Sequence, residues 1–398
     1  MKVLVINCGS SSIKFELFDM PAETVEAKGL VEKIGEDSSR LVCRMNGQEV
    51  IVARPIQDHD AGLRLIVEAL TDSEHGGISD VSAIGAIGHR VVHAGEAFAA
   101  PVLLRDEVVQ ALEDHVELAP LHNPPNLLGI KVAREVFPDV PQAGVFDTAF
   151  HQTMPPKAYI YPVPYEYYTE HRVRRYGFHG TSHRYVSERA AVMLDRPLGE
   201  TNVITAHLGN GASIAAIEGG RSVDTSMGMT PLEGLVMGTR CGDIDPALMP
   251  YLARVTGQSM AEIDKTLNKK SGVLGLSGLS NDMRTLAKAA DEGHERAKLA
   301  LSIYCYRLKK YIGAYTAVLG RVDALVFTGG IGENQSSLRA KAVEGLALMG
   351  FEIDAGRNDA TRAVEADIAT ESSRSRILVI PTNEEVMIAR QAFRLASE

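Results

Sequence analysis

The sequence predicts an α/β protein built as two duplicated lobes, with its ligand held in the crevice between them. Three observations lead there. The chain has 398 residues, 45% hydrophobic and 23% charged, an ordinary globular composition that is too long for one average core, so two domains are expected. A strand, a turn of small residues and a second strand occupy residues 3–19, and the same arrangement returns about two hundred residues later at 203–218, the mark of a diverged internal repeat. Strands followed by helices occur in both halves, which is the pattern of layered α/β domains with a ligand between them.

Taken in order, residues 3–7 form a β-rich run, 8–12 a turn of small residues, and 13–19 alternate apolar with polar or charged, which reads as a β-hairpin. A helical pattern covers 60–70. Residues 154–168 carry several prolines and tyrosines with little helical period; the crossing between lobes is placed there, the alternative being a surface loop. The expected lobes are 1–150, joined by a C-terminal helix at 384–398, and 151–383. In the second, a helix is expected at 184–194, and strands at 203–207 and 213–218 flank the Gly-rich segment 208–212. Helices follow at 282–292 and 295–319. A third strand at 324–328 runs into Gly329-Gly330-Ile331-Gly332, read as a turn, and then a helix over 335–349. A strand at 377–380 precedes the last helix, 384–395.

Charge and cysteine content exclude several functions. The formal net charge of −10 repels a phosphate backbone, and no Lys/Arg block overrides it locally, so nucleic-acid binding is not expected. Cys8, Cys43, Cys241 and Cys305 are far apart and lack zinc-site spacing, which reads as reduced thiols in a reducing, cytoplasmic compartment. The apolar start stops at Asn7, too early for a signal peptide, and the longest uncharged stretch, 201–217, contains Asn, His, Thr and Gly; neither export nor a membrane span is expected.

Three Gly/Ser/Asn turns, each directly after a strand, can offer clustered backbone N–H groups to phosphate oxygens with no Cβ in the way. One such turn is commonly just a tight turn. Three in one chain, two of them related by the repeat, favour a nucleotide site, although neither a Walker A run nor G-x-G-x-x-G is present. Arg90 lies among strand-like residues in Gly88-His89-Arg90-Val91-Val92-His93, either as an anion ligand or as a buried structural Arg. Arg240 sits between glycines, with Asp243 and Asp245 following as alternative partners. His179 precedes a helix that Thr181 or Ser182 can cap, and its loop setting between Phe178 and Gly180 raises it above an ordinary structural His. Asp147 ends the strand 143–146 and would face the crevice, unless it only forms a turn. Thr382 and Glu385 have capping-box spacing, which leaves Glu384 as the candidate ligand for a hard cation such as magnesium.

The segments NCGSSSIK (7–14), FDTAFH (146–151), YGFHGTSH (176–183), HLGNGAS (207–213), 224–246 and TGGIGEN (328–334) resemble the acetate kinase family along essentially the whole chain. That family is similar to the wider group of sugar kinases, heat-shock chaperones and actin. The resemblance implies two duplicated lobes of ribonuclease H-like, actin-like ATPase type, nucleotide and substrate in the cleft between them, and a homodimer. It implies reversible transfer of a phosphoryl group from ATP to acetate, giving acetyl phosphate and ADP, with Mg²⁺ as cofactor and Mn²⁺ able to take its place. Carried over by motif, Asn7 and Glu384 lie near the metal, and Lys14 near the nucleotide phosphates. Arg90 and Arg240 hold substrate oxygens, His179 stabilises the transferring group, and Asp147 is a catalytic carboxylate. The nucleotide lies against His207, Leu208, Gly209, Asn210, Gly211, Asp282, Met283, Arg284, Gly330, Ile331, Gly332, Glu333 and Asn334. Val92, Leu121, Phe178 and Pro231 wall the acyl methyl. Ala94 stands where the family more often has Gly, which affects little beyond local backbone freedom.

The chemistry agrees with that resemblance in one respect. A carboxylate nucleophile is already ionised at neutral pH and needs no general base, so the obstacle is repulsion between two anions. Two arginines, a histidine and a divalent cation answer that need, and Asp147 is then expected to orient an Arg or a metal-bound water rather than to remove a proton. A propionate or butyrate kinase would share every motif and differ in the acyl pocket, where Val92 favours a small acid, although one methylene discriminates by only about 1–3 kcal/mol. A pyrophosphate-dependent relative and a nucleotide-switched module of the actin or chaperone kind are the remaining alternatives; the last leaves Arg90 and the small pocket without a role.

Overall fold

The computed structural model describes residues 1–74, 76–114, 116 and 123–398, and the chain divides into two units: Met1–Phe150 with Asn383–Glu398, and His151–Thr382. The stretch 154–168 therefore lies wholly in the second unit, where it forms two short helices, Pro156–Tyr159 and Glu166–His171.

The first unit is built on eight strands: β1 (Lys2–Cys8), β2 (Ser12–Asp19), β3 (Thr24–Glu32), β4 (Arg40–Met45), β5 (Gln48–Ala53), β6 (Ile84–Val91), β7 (Val102–Leu103) and β8 (Gln142–Phe146). Their order in the sheet is β5-β4-β3-β2-β1-β6-β8-β7. β1 to β5 are antiparallel, β1, β6 and β8 run parallel, and β7 returns antiparallel at the edge. β1 reads as a continuous apolar run because it is central and covered on both faces. Helices His59–Leu70 and Asn123–Val136 join its side chains in one core with Ile6, Phe15, Leu63, Ile66 and Ala133, while the C-terminal helix Glu384–Ser397 packs against β1, β6 and β8.

The second unit holds six strands: β9 (Asn202–Leu208), β10 (Ala212–Glu218), β11 (Arg221–Thr225), β12 (Ala324–Thr328), β13 (Ala366–Asp367) and β14 (Arg376–Val379). Their order is β11-β10-β9-β12-β14-β13. Five strands repeat the first unit's plan: β11-β10-β9-β12-β14 matches β3-β2-β1-β6-β8 in order and in direction at every pairing. The duplication legible in the hairpins therefore extends through both sheets. The 25-residue helix Glu295–Leu319 covers this sheet; its N-cap His294 accepts from Ala297 N, and it ends at Gly320, φ +68°.

Four local expectations are corrected. The segment after β12 is not a turn but the helix Gly329–Asn334. The expected helix over 335–349 is Ser336–Val343 followed by a 3₁₀ turn at Ala347–Met349, because Gly345 takes φ +78° and breaks the spiral. Helix Gly180–Met193 begins at His179, which sits in the left-handed region at φ +56° without a side-chain cap, so Thr181 and Ser182 lie inside its first turn. The last helix is capped by Asn383, whose Oδ1 accepts from Val386 N at 3.0 Å, so the Thr382/Glu385 capping box does not form.

Candidate active site

In the first unit the candidate residues gather at the carboxyl ends of β1, β6 and β8 and at the start of the C-terminal helix. Arg90, next to last in β6, donates from Nε to Asp147 Oδ1 at 3.2 Å and from Nη2 to Oδ2 at 2.5 Å. This forked geometry matches guanidinium to carboxylate and fixes the plane of both. Asp147 is 1% exposed, and its own N–H closes on Val91 O at 2.9 Å, continuing the β6–β8 ladder one residue past the strand. Arg90 Nη1 also reaches Asn7 Oδ1 on β1 at 3.4 Å. Burial opposes the charge on Arg90, but the carboxylates of Asp147 and Glu384 outweigh it and hold the guanidinium protonated. Glu384 is pushed up to about 7, chiefly by burial; Arg90 draws it down, and the Asp147 and Glu385 charges raise it further.

Lys14 pairs with Glu385 and lies 3.6 Å from Glu16. Glu385 thus has an ion-pair role in place of the expected capping one. Val92 is buried, and its N–H is held by Asn126 Oδ1 at 3.0 Å; Asn126 Nδ2 donates to Cys8 O at 2.8 Å, tying the end of β6 to the end of β1. Leu121 lies outside the described residues.

In the second unit, His179 Nδ1 lies 2.9 Å from Ser213 Oγ on β10, and its ring stacks on His207, centroids 4.3 Å apart. Arg240 donates to Pro231 O at 2.8 Å and, among the described residues, has no carboxylate within ion-pair distance. Its expected partner Asp243 is taken by Arg307 Nη1 at 3.1 Å and Tyr311 Oη at 2.8 Å, and Asp245 accepts from Ala247 N. Burial lowers the pKa of Arg240, as it must for a cation without a counter-charge. A side chain at Gly211 would come 3.2 Å from Arg240 Nη2 and 3.6 Å from His179 Cε1, so His179, Arg240 and the 208–211 turn lie side by side. Phe178 is buried, and its carbonyl accepts from His151 Nε2 at 3.0 Å.

The expected nucleotide segments adjoin in this unit. Gly238 N donates to Asn210 O at 2.9 Å, and Asn281 Nδ2 donates to Asn210 Oδ1 at 2.9 Å. Asp282 caps the helix Met283–Asp291, accepting from Arg284 N at 2.8 Å and pairing with the Arg284 guanidinium, whose hydrogen bonds hold its pKa at about 2. Gly329 takes φ +74°, and a Cβ there would lie 2.8 Å from Leu208 O; this close approach brings the helix Gly329–Asn334 against the end of β9. Asn334 Nδ2 returns to Gly330 O at 2.9 Å, and Glu333 Oε1 accepts from Thr382 N at 3.2 Å.

Sequence reasoning missed the residues that brace these. Arg339, 1% exposed, donates to Gly332 O, Glu333 O and Asn358 Oδ1 at 2.8–3.0 Å, replacing the carbonyl partners that a six-residue helix lacks. Asn126 and the Thr205–His183–Ser213 chain were missed as well. His183 alone carried a signal, standing four residues after His179 on the same helix face.

Residues 2–390 match the model of the acetokinase family. The chain belongs to that family. It is 56% identical over 396 residues to an acetate kinase of Halothermothrix orenii, covering 99% of both chains. Among solved structures it is similar to the acetate kinase of Porphyromonas gingivalis, with 48% identity, TM-score 0.95 and 99% of both chains covered. It is also similar to a propionate kinase from Francisella tularensis, with 43% identity, TM-score 0.93 and the same coverage. The two sheets of the chain share one strand plan within an α/β architecture.

Proposed function

We propose that the chain is an acetate kinase that moves the γ-phosphoryl group of ATP onto the carboxylate of acetate, giving acetyl phosphate and ADP by direct in-line transfer, and that it runs in both directions. The observation that carries the reading is Arg240, a largely buried cation with no carboxylate partner among the described residues, standing beside His179 and the Gly211 turn. Such a cation calls for an anionic ligand. Arg90 supplies the second positive charge, with its direction set by Asp147. In this reading Asp147 does not remove a proton, since acetate arrives ionised; it aims the guanidinium at an incoming oxygen. Arg240 and His179 stabilise the equatorial oxygens of the transferring group, where charge spreads in the transition state. His207, the 208–211 turn, Asp282–Arg284 and Gly330–Asn334 hold the nucleotide, with Lys14 near its phosphates. Val92, Phe178 and Pro231 bound the methyl group.

Mg²⁺ fits the donors present. Among the described residues no cluster of three His, Cys, Asp or Glu forms a metal cage, and Mg²⁺ characteristically uses one or two carboxylates, waters and substrate phosphates instead. Asn7 and Glu384 would hold it, Glu384 being a carboxylate whose proton affinity burial and the neighbouring Asp147 and Glu385 charges raise. When bound, the ion neutralises phosphate charge, and Mn²⁺ can replace it. A homodimer is proposed on the apolar face of the helix Leu248–Thr256, where Leu248, Tyr251 and Val255 are 37–54% exposed with none buried. Light scattering would measure it, and a 43.0 kDa particle at working concentration would exclude it. Among the described residues no helix is long and apolar enough to cross a membrane, and the four cysteines are unpaired, in keeping with a cytoplasmic enzyme.

The test is turnover of MgATP with acetate, propionate and butyrate side by side, trapping acyl phosphate with hydroxylamine. Fastest product from acetate is expected. The similarity to a propionate kinase favours measurable propionate turnover too. Clear preference for propionate would overturn the acetate assignment, and ATP hydrolysis without acyl phosphate would overturn the kinase.

A further inference from the structure

The loop that presents His179 is backed by a chain of hydrogen bonds that runs inward to a dead end. His179 Nδ1 is 2.9 Å from Ser213 Oγ; Ser213 Oγ is 2.7 Å from His183 Nε2; His183 Nδ1 is 2.7 Å from Thr205 Oγ1. Ser213, His183 and Thr205 are all 0% exposed. Among the described residues the Thr205 hydroxyl has one hydrogen-bond partner, His183 Nδ1, and the Ser213 hydroxyl has two, the two histidine rings.

Proton counting decides the direction of this chain. If Thr205 accepted from His183, its own hydroxyl proton would be stranded in the dry interior, and folded proteins avoid a buried unsatisfied donor. Thr205 therefore donates to His183 Nδ1. His183 is neutral, because burial holds its pKa well below the usual value and the neighbouring His151 and His207 add to the effect. Its single ring proton then sits on Nε2 and is donated to Ser213 Oγ. The Ser213 hydroxyl proton has one acceptor left, His179 Nδ1.

We infer that Thr205, His183 and Ser213 form a one-way relay of positioning residues that fixes neutral His179 as its Nε2–H tautomer, so that it faces the transferring phosphoryl group as a hydrogen-bond donor. The role at the phosphoryl group rests on the function proposed above; the tautomer does not. The benefit is that His179 donates without first becoming an imidazolium. The reverse chain would leave a lone pair on Nε2, which repels a phosphoryl oxygen.

The experiment is a long-range ¹H–¹⁵N spectrum of the full chain with ¹⁵N-labelled histidine, above neutral pH, the His179 signals being assigned by their loss in His179→Gln. The expected pattern is a protonated Nε2 and an acceptor-type Nδ1. A protonated Nδ1 would overturn the relay. In Ser213→Ala the single-tautomer pattern should be lost and kcat should fall by about 10- to 100-fold, the scale seen when the partner that orients a metal-ligating histidine is removed. KM for acetate and for MgATP should move by less than about twofold, and Ser213→Thr, which keeps the hydroxyl, should restore the pattern. An unchanged spectrum and kcat in Ser213→Ala would refute the relay. If Ser213→Ala does not fold, the native spectrum still decides. The expected spectrum from a chain without acid-dependent turnover would support the relay and overturn the functional proposal, so the two fail separately.

Discussion

Replacing Asp147 by Asn keeps the size of the side chain and removes its charge, which isolates what the forked pair with Arg90 contributes. In the native site both guanidinium contacts go to carboxylate oxygens, at 3.2 and 2.5 Å. Asparagine offers one acceptor; its amide N–H₂ would face the other guanidinium N–H, donor against donor. Breaking a fully buried ion pair costs about 3–5 kcal/mol, but the Arg90 side chain is 24% exposed and water can reach it. The estimate therefore drops to the range of a single charged hydrogen bond, about 1.5–3 kcal/mol. If that energy holds Arg90 on its target, the loss appears in kcat/KM for acetate as about 10- to 150-fold. The assay is hydroxylamine trapping at saturating MgATP over a range of acetate, with a thermal melt to check folding. Turnover within about twofold of native in a folded Asp147→Asn protein would refute the orienting role.

Other expectations can be tested alongside. Arg240→Ala should lower kcat by about 10³-fold, the lower end for an Arg at a transferring phosphoryl group, with a nearly unchanged melting temperature, since among the described residues its side chain makes one hydrogen bond, to Pro231 O; a drop under tenfold would count against it. Asn383→Ala should cost about 1 kcal/mol in urea unfolding, because the cap is Asn383; an unchanged urea midpoint would count against that cap. Stability should fall as pH drops from about 6.5 to 4, because burial holds His89 and His151 at about 4 while the unfolded chain protonates them at about 6.5. At these two histidines the unfolded state binds more protons through this window, and each contributes about 3 kcal/mol that is present at pH 7 and lost in acid, offset in part by Glu384, whose raised pKa acts in the opposite sense. A flat urea midpoint between pH 7.5 and 5 would exclude this.

What sequence reveals here follows the range of the interactions. The hairpins β1–β2 and β9–β10 are legible because apolar runs flank short turns. The hairpin β4–β5 was equally legible and was passed over: Asn46 and Gly47, at φ +49° and +78°, form the two-residue turn that signals a hairpin most strongly. Asp147 could be placed at a strand end, but its bond to Arg90, 57 residues away, depends on the β6–β8 register. Asn126 looks like any helical Asn until β1 and β6 are adjacent. For Arg240 the sequence left a competing reading open, since Asp243 is its near neighbour, yet the chain turns and gives that carboxylate to Arg307 and Tyr311 on a distant helix.

The two sheets share a plan and differ at the strand ends, and that difference carries chemical meaning. Asp147 N donates to Val91 O at the end of β8, and Ile380 N donates to Phe327 O at the end of β14. One backbone bond is made twice, with a carboxylate attached in the first copy and an apolar side chain in the second. In the hairpins, Asn7 faces Lys14 in register, whereas His207 faces Ser213. The strand beside the hairpin is eight residues long as β6 and carries Arg90; as β12 it has five residues and gives way at once to Gly329-Gly330. The first copy thus ends in formal charges and the second in glycines, hydroxyls and neutral rings. Formal charge suits a partner that must be drawn in against repulsion, such as a carboxylate approaching phosphate. Neutral donors and bare backbone suit a nucleotide, which is held by many short contacts at close range. On this division, removing the Arg90 or Asp147 charge from the first copy should act mainly on the acid, and adding bulk at the glycines of the second mainly on ATP.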